Sequence, residues 1–98
     1  MDITKKYNEK ELTVTVKKMI DTVNAPDFEN EIMDEIGNFD SLIIDLTDLE
    51  YISSAGLRVL IKVEKTLNPQ GIPCVIKVND TIREIITITS LHKVLNIQ

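Results

Sequence analysis

Ninety-eight residues leave room for one hydrophobic core, so residues 1–98 are expected to form a single domain. The 43% apolar and 28% charged content excludes a disordered chain, and no apolar run approaches the roughly 20 residues of a membrane span. A net charge of −5 argues against nucleic acid, while a single cysteine (Cys74) and a single histidine (His92) exclude a disulfide framework and clustered Cys or His metal sites.

Met1-Asp2-Ile3-Thr4-Lys5-Lys6 lacks the apolar stretch of a signal peptide, so a cytoplasmic location without membrane insertion is expected. Glu11 to Val16 alternates, with Leu12, Val14 and Val16 apolar and Thr13 and Thr15 polar, as in a strand with one buried face. Ile3 to Tyr7 can pair with it across Asn8-Glu9-Lys10, and Met19-Ile20 either continues the second strand or leaves it. Asp21-Thr22-Val23-Asn24-Ala25-Pro26 breaks the pattern. Asn24 is suited to cap a helix over residues 25–36, with Pro26 in its first turn and Phe28, Ile32, Met33 and Ile36 on its apolar face. Gly37 suits a left-handed position after that helix.

Ser41 to Leu46 is a nearly continuous apolar run, which predicts a central strand covered on both faces. Thr47 to Ile52 reads as a loop with buried anchors, and Ser53-Ser54 opens a second helix. Its apolar stripe is Leu57, Leu60, Ile61 and Leu67, with Val63 at the edge; Arg58, Lys62 and Lys65 lie on the other side. These cations read as a solvated face or as contacts to an acidic partner surface. Asn68 to Pro73 is a turn cluster, and Cys74 to Val78 is the next strand. Asn79 or Asp80 caps a third helix with Ile82, Ile85, Ile86 and Thr89 on one face. A short helical turn, Leu91 to Leu95, and an edge-strand stub, Asn96 to Gln98, complete the chain. The order implies an α/β fold with a mixed sheet, largely parallel after its opening hairpin, and helices mainly on one side.

Charge is uneven along the chain. Residues 1–50 carry 13 acidic and 5 basic side chains, and residues 51–98 carry 3 acidic and 6 basic. An acidic and a basic region of that kind can orient a protein partner.

The informative stretch is Tyr51-Ile52-Ser53-Ser54-Ala55-Gly56-Leu57-Arg58. Two hydroxyls stand where a helix begins, at free amides and the positive end of the macrodipole, where a serine can cap and a phosphate is welcome. Gly56 removes bulk beside them, so that a partner backbone or a nucleotide could approach closely. A hydrolase would need a base, and His92, in a late helical turn, has no reason to reach Ser54. A nucleotide switch lacks a Walker-type glycine-rich loop with its lysine. Asp21 and Asp45 read as backbone-capping carboxylates rather than an acid–base pair. Cys74 reads as a small buried residue.

Ser41 through Leu67, together with Asp21-Thr22-Val23-Asn24-Ala25-Pro26 and Asn79 to Leu95, resembles a STAS domain, most of all the bacterial anti-sigma factor antagonists. The resemblance implies a mixed sheet of four to five strands with three to four helices, no enzymatic activity and no cofactor or metal. It implies that the unphosphorylated protein binds an anti-sigma factor that is also a serine kinase and thereby frees a sigma factor. Phosphorylation of Ser54 releases the kinase, and a PP2C-type phosphatase restores the active form. Asp21, Ser53, Gly56, Leu57 and Arg58 are the expected partner surface, and a monomer or weak dimer is expected. In the usual motif an aspartate precedes the acceptor; here Ser53 stands there. A common glycine before the first loop is replaced by Lys18, and Arg58 occupies a position that is often glycine. The same resemblance covers an alternative, a subunit of a lipid-transport or stress-sensing complex that binds its partner constitutively.

Overall fold

A computed structural model describes residues 1–98. The opening hairpin forms as its alternation dictates. Strand β1 (Asp2–Asn8) pairs antiparallel with β2 (Glu11–Ile20), from Asp2 opposite Lys17 to Asn8 opposite Glu11. All other pairings are parallel. β3 (Ser41–Leu46) lies against the first half of β2, and β5 (Cys74–Val78) lies outside β3. The stub at the C-terminus bridges Ile97 to Ile76 in parallel, as expected of an edge-strand remnant.

Thr47 to Ile52 is not a loop. Leu49–Ile52 forms a further strand, β4, paired in parallel with the second half of β2. β2 thus serves two neighbours in turn, β3 along Glu11–Thr15 and β4 along Lys18–Ile20. The register shifts between Lys18 and Met19, where Lys18 adopts φ 73°. Glycine takes that conformation freely, whereas a side chain there costs about 1–2 kcal/mol. Part of that cost returns as lost chain entropy in a glycine variant. Lys18→Gly should therefore raise stability by about 0.5–1 kcal/mol, visible as a higher denaturation midpoint.

β3 is also less enclosed than its composition implies. Leu42, Ile44 and Leu46 are buried, while Ser41, Ile43 and Asp45 are half-buried on the opposite face. β2 and β5 alternate in the same sense, burying Leu12, Val14, Val16, Cys74, Ile76 and Val78. The helices therefore cover one face of the sheet, and the other face is left to half-exposed side chains.

Helix α1 (Ala25–Met33) buries Ala25, Phe28 and Ile32. It ends three residues earlier than expected; turns carry the chain on to Gly37 at φ 99°. α2 (Ser54–Leu67) buries Leu57, Val59, Leu60, Val63 and Leu67, so Val59 joins the stripe and Ile61 is only half-buried. α3 (Asp80–Ile88) buries Ile82 and Ile86, while Thr89 is exposed and donates to the Ile86 carbonyl at 2.8 Å. Short 3₁₀ turns occupy Asn68–Gln70 and Leu91–Lys93. No helix is long and apolar enough to cross a membrane.

Asn79 is the cap of α3. Its Oδ1 accepts the Ile82 N–H at 2.9 Å, and its Nδ2 donates to the carbonyls of Leu49 (2.8 Å) and Thr47 (3.0 Å). One side chain thus ties α3 to the start of β4. Asn79→Ala removes a cap and leaves two carbonyls short of a donor, and should cost about 2 kcal/mol in urea denaturation. Asn79→Asp keeps the cap but sets a carboxylate against those carbonyls, so it should recover little of the loss.

Cys74 is buried under the helical layer, and that burial, with Glu64 nearby, pushes its thiol up to about 12. The thiolate is the reactive form, so at pH 8 labelling by a disulfide reagent should run about 1000-fold slower than for an ordinary exposed thiol. Full labelling should appear on adding denaturant.

β1 is the outermost strand of the sheet, pinned by polar groups. Lys5 Nζ meets the Glu31 carboxylate at 2.9 Å and the Glu35 carboxylate at 3.1 Å, and Tyr7 donates its hydroxyl to Glu35 at 2.7 Å. Bonds to Glu31 and then Glu35 raise the Lys5 ammonium above its usual range; those from Tyr7 and then Lys5 lower Glu35.

Candidate functional site

The site is built where parallel strands end side by side. Ile20 at the end of β2 pairs with Ile52 at the end of β4, and the Ser53 N–H donates to the Ile20 carbonyl at 2.8 Å. From these two ends the chain enters α1 through Asp21–Asn24 and α2 through Ser53. The carboxyl ends of parallel strands are where open α/β sheets present ligand-binding loops.

The first loop is self-supporting. Asp21 Oδ1 accepts the N–H groups of Val23 (2.9 Å) and Asn24 (2.8 Å), and Asn24 Oδ1 accepts the Asp21 N–H at 2.8 Å. Asn24 Nδ2 reaches back to the Met19 carbonyl at 3.2 Å. Asn24 does occupy the N-cap position of α1, where its carbonyl accepts the Phe28 N–H at 3.1 Å, but its side chain makes no cap bond because it is spent on the loop before the helix. The half-buried Asp21 is held likewise, through its Oδ1. Asp45 accepts the Thr47 N–H at 3.0 Å and its hydroxyl at 2.7 Å, so each aspartate holds its own turn.

The two serines separate in role. Ser53 is the cap of α2: its backbone is extended at φ −81°, ψ 170°, its Oγ accepts the Gly56 N–H at 3.2 Å, and its carbonyl accepts the Leu57 N–H at 3.0 Å. It is only 7% exposed. Ser54, the first residue of the helix, is exposed. The amides of Ser54 and Ala55 have no intrahelical acceptor, so an accessible hydroxyl stands at the positive end of α2.

Gly56 and Leu57 lie beneath the surface rather than on it. The space freed by the missing Cβ of Gly56 is not open to a visitor. A Cβ there would meet Ile52 Cγ1 at 2.7 Å and Ile20 Cγ2 at 2.8 Å. The glycine lets α2 press onto the ends of β2 and β4; the close approach is inward, to the sheet. Of the residues singled out from sequence, Ser54 and Arg58 are exposed and Asp21 is half-buried, while Ser53, Gly56 and Leu57 form the floor beneath.

Beside Ser54 runs a groove of about 300 Å³ between α1 and α2, lined in part by Thr22, Pro26, Glu29, Ala55, Arg58 and Lys62. Lys62 spans it to Glu29 at 3.1 Å. Sequence reasoning gave no role to three apolar side chains at this end of the sheet. Met19 and Tyr51 are neighbours in register, 45% and 48% exposed, and Val23 in the first loop is 87% exposed. Only the β4 pairing, invisible in a four-residue segment, places Met19 and Tyr51 together. His92 sits on the last 3₁₀ turn, whose neighbours Leu91 and Val94 border Ile61 of α2, seven residues or about 10 Å along the axis from Ser54.

A family model for the STAS domain matches residues 2–98. The chain belongs to the STAS domain family. Solved structures share the fold. An anti-sigma factor antagonist from Mycobacterium paratuberculosis superposes with a TM-score of 0.89 at 24% identity, covering 98% of this chain and 83% of that one. The Bacillus cell fate determinant SpoIIAA in its phosphorylated form gives 0.78 at 12% identity over 99% of this chain and 91% of that one. The anti-sigma factor antagonist SpoIIAA in its unphosphorylated form gives 0.75 at 12% identity over 88% and 82%. No curated protein matches by sequence. In this STAS domain β4 leads through the capping Ser53 into α2, whose first residue, Ser54, is exposed, as is Thr22 in the first loop.

Proposed function

We propose that this STAS domain is an anti-sigma factor antagonist. The unphosphorylated form binds an anti-sigma factor that is also a serine kinase, which frees a sigma factor. The kinase then transfers the γ-phosphoryl group of ATP to Ser54 Oγ, releasing ADP and the hydroxyl proton, and the modified protein departs. Water attacks the phosphoserine in a PP2C-type phosphatase, giving phosphate and the original hydroxyl.

One observation carries this reading: Ser54, unlike the adjacent Ser53, is exposed at the first position of a capped helix. A kinase must reach the acceptor, and the helix end must tolerate the product; both conditions hold at Ser54. The fold it shares with SpoIIAA, solved with and without phosphate, supports the reading at the level of architecture.

A constitutive STAS subunit is the second reading, favoured by Ser53 standing where the antagonist motif usually has aspartate. Capture from native cytoplasm with plain, Ser54→Ala and Ser54-phosphorylated protein separates the two. The antagonist reading expects a serine kinase bound to the first two forms and absent from the third. Equal capture by all three, or a kinase-treated protein phosphorylated elsewhere, overturns it.

A further inference from the structure

Arg58 lies four residues after Ser54 on α2, and both side chains are exposed. That spacing stacks them on one face of the helix, with the acceptor on the N-terminal side, the favourable order for an anion followed by a cation. Arg58 makes no ion pair. Within α2 its neighbours at three and four residues are Ser54, Ala55, Ile61 and Lys62, none of them acidic. Across the groove Glu29 is engaged by Lys62, and in the first loop Asp21 Oδ1 accepts two backbone N–H groups; neither carboxylate lies within ion-pair distance of Arg58. The guanidinium is left without an acidic partner beside the hydroxyl that the proposed kinase modifies.

We propose that Arg58 is the intramolecular counter-ion of a phosphate carried at Ser54. The inference rests on Ser54 being the acceptor and adds what the phosphate does next. A phosphoserine offers three acceptor oxygens and a charge of about −1.5 to −2, which the planar fork of an arginine matches in two parallel hydrogen bonds. The pairing fastens the first turn of α2 and withdraws Arg58 from any acidic surface it would otherwise meet. Release then has two causes in one event: the partner encounters a dianion and loses a cation.

The test uses the full chain with phosphoserine genetically encoded at position 54, as wild type, Arg58→Gln and Arg58→Lys, followed by ³¹P NMR titration at low salt. In the wild type the phosphate should lose its second proton about 0.3 of a pH unit lower than in Arg58→Gln, with Arg58→Lys between them. The difference should shrink on adding salt. Phosphorylation should also raise the melting midpoint more in the wild type than in Arg58→Gln. Coincident titration curves overturn the pairing. Encoding the phosphoserine keeps this result independent of any kinase: phosphate transferred to another residue would refute the acceptor assignment while leaving the titration to judge Arg58.

Discussion

Phosphorylated at Ser54, the protein should bind the kinase partner proposed for it more than 100-fold more weakly while its melting midpoint does not fall. A 100-fold loss requires a little under about 3 kcal/mol. An interface shaped around a hydroxyl easily supplies that when asked to bury a hydrated dianion. Nucleotide phosphates held by the kinase would add repulsion. The domain itself has no reason to melt. Ser54 projects to solvent, Ser53 and not Ser54 carries the cap, and the helix end favours negative charge. Ser54→Glu brings one charge and no phosphate geometry, so it should reproduce only part of the loss. Calorimetric titration against the partner and a thermal scan of each form measure both halves. Unchanged affinity sinks the switch; a large drop in midpoint replaces it with local unfolding.

Gly56→Ala should lower stability by about 2 kcal/mol, a fall in melting midpoint of about 10 °C for a domain of this size. The sign opposes intrinsic propensity, which favours alanine over glycine in a helix by about 1 kcal/mol. Packing wins because the new methyl carbon would sit 2.7 Å from Ile52 Cγ1 and 2.8 Å from Ile20 Cγ2, both held within paired strands. The helix must lift or the isoleucines must turn. Adding Ile52→Ala should partly relieve Gly56→Ala, so the double variant should be less destabilised than the sum of the two singles. Because Ser54 sits two residues before this contact, Gly56→Ala should also weaken partner binding. Urea denaturation of the four proteins in the cycle measures the coupling, and a stabilised Gly56→Ala refutes the close approach.

Much of this was legible from residue order. The alternation of Leu12, Val14 and Val16, the helical spacing of Leu57, Leu60, Val63 and Leu67, and the capping chemistry of Ser53 and Asn79 act locally, and the structure follows them. What the order concealed depends on distant partners. Leu49-Glu50-Tyr51-Ile52 shows no period of two, since only its ends are buried, and it becomes a strand because β2 continues past a bulge at Lys18. Ile43 made β3 look enclosed, yet it lies half-exposed beside Val75 on the helix-free face. Asn24 has the chemistry of a cap but meets Asp21 first. At the site, a pair of serines tells nothing of which one faces out; the bond from the Ser53 amide to Ile20 decides it. The missing side chain of Gly56 suggests room on the outside, whereas its close neighbours lie within.

The rim formed by β1 bears on self-association. A strand with one unpaired side is a template on which another copy can grow a continuous ribbon. Here Lys6 is exposed on it, and a second copy docking antiparallel in the register that opposes Lys6 to itself would bring like charges face to face. The anchoring of Lys5 to Glu31 and Glu35 holds its proton past the pH at which a free lysine would surrender it. The rim therefore offers an incoming copy one exposed cation at Lys6 and a lysine already tied down to α1 at Lys5.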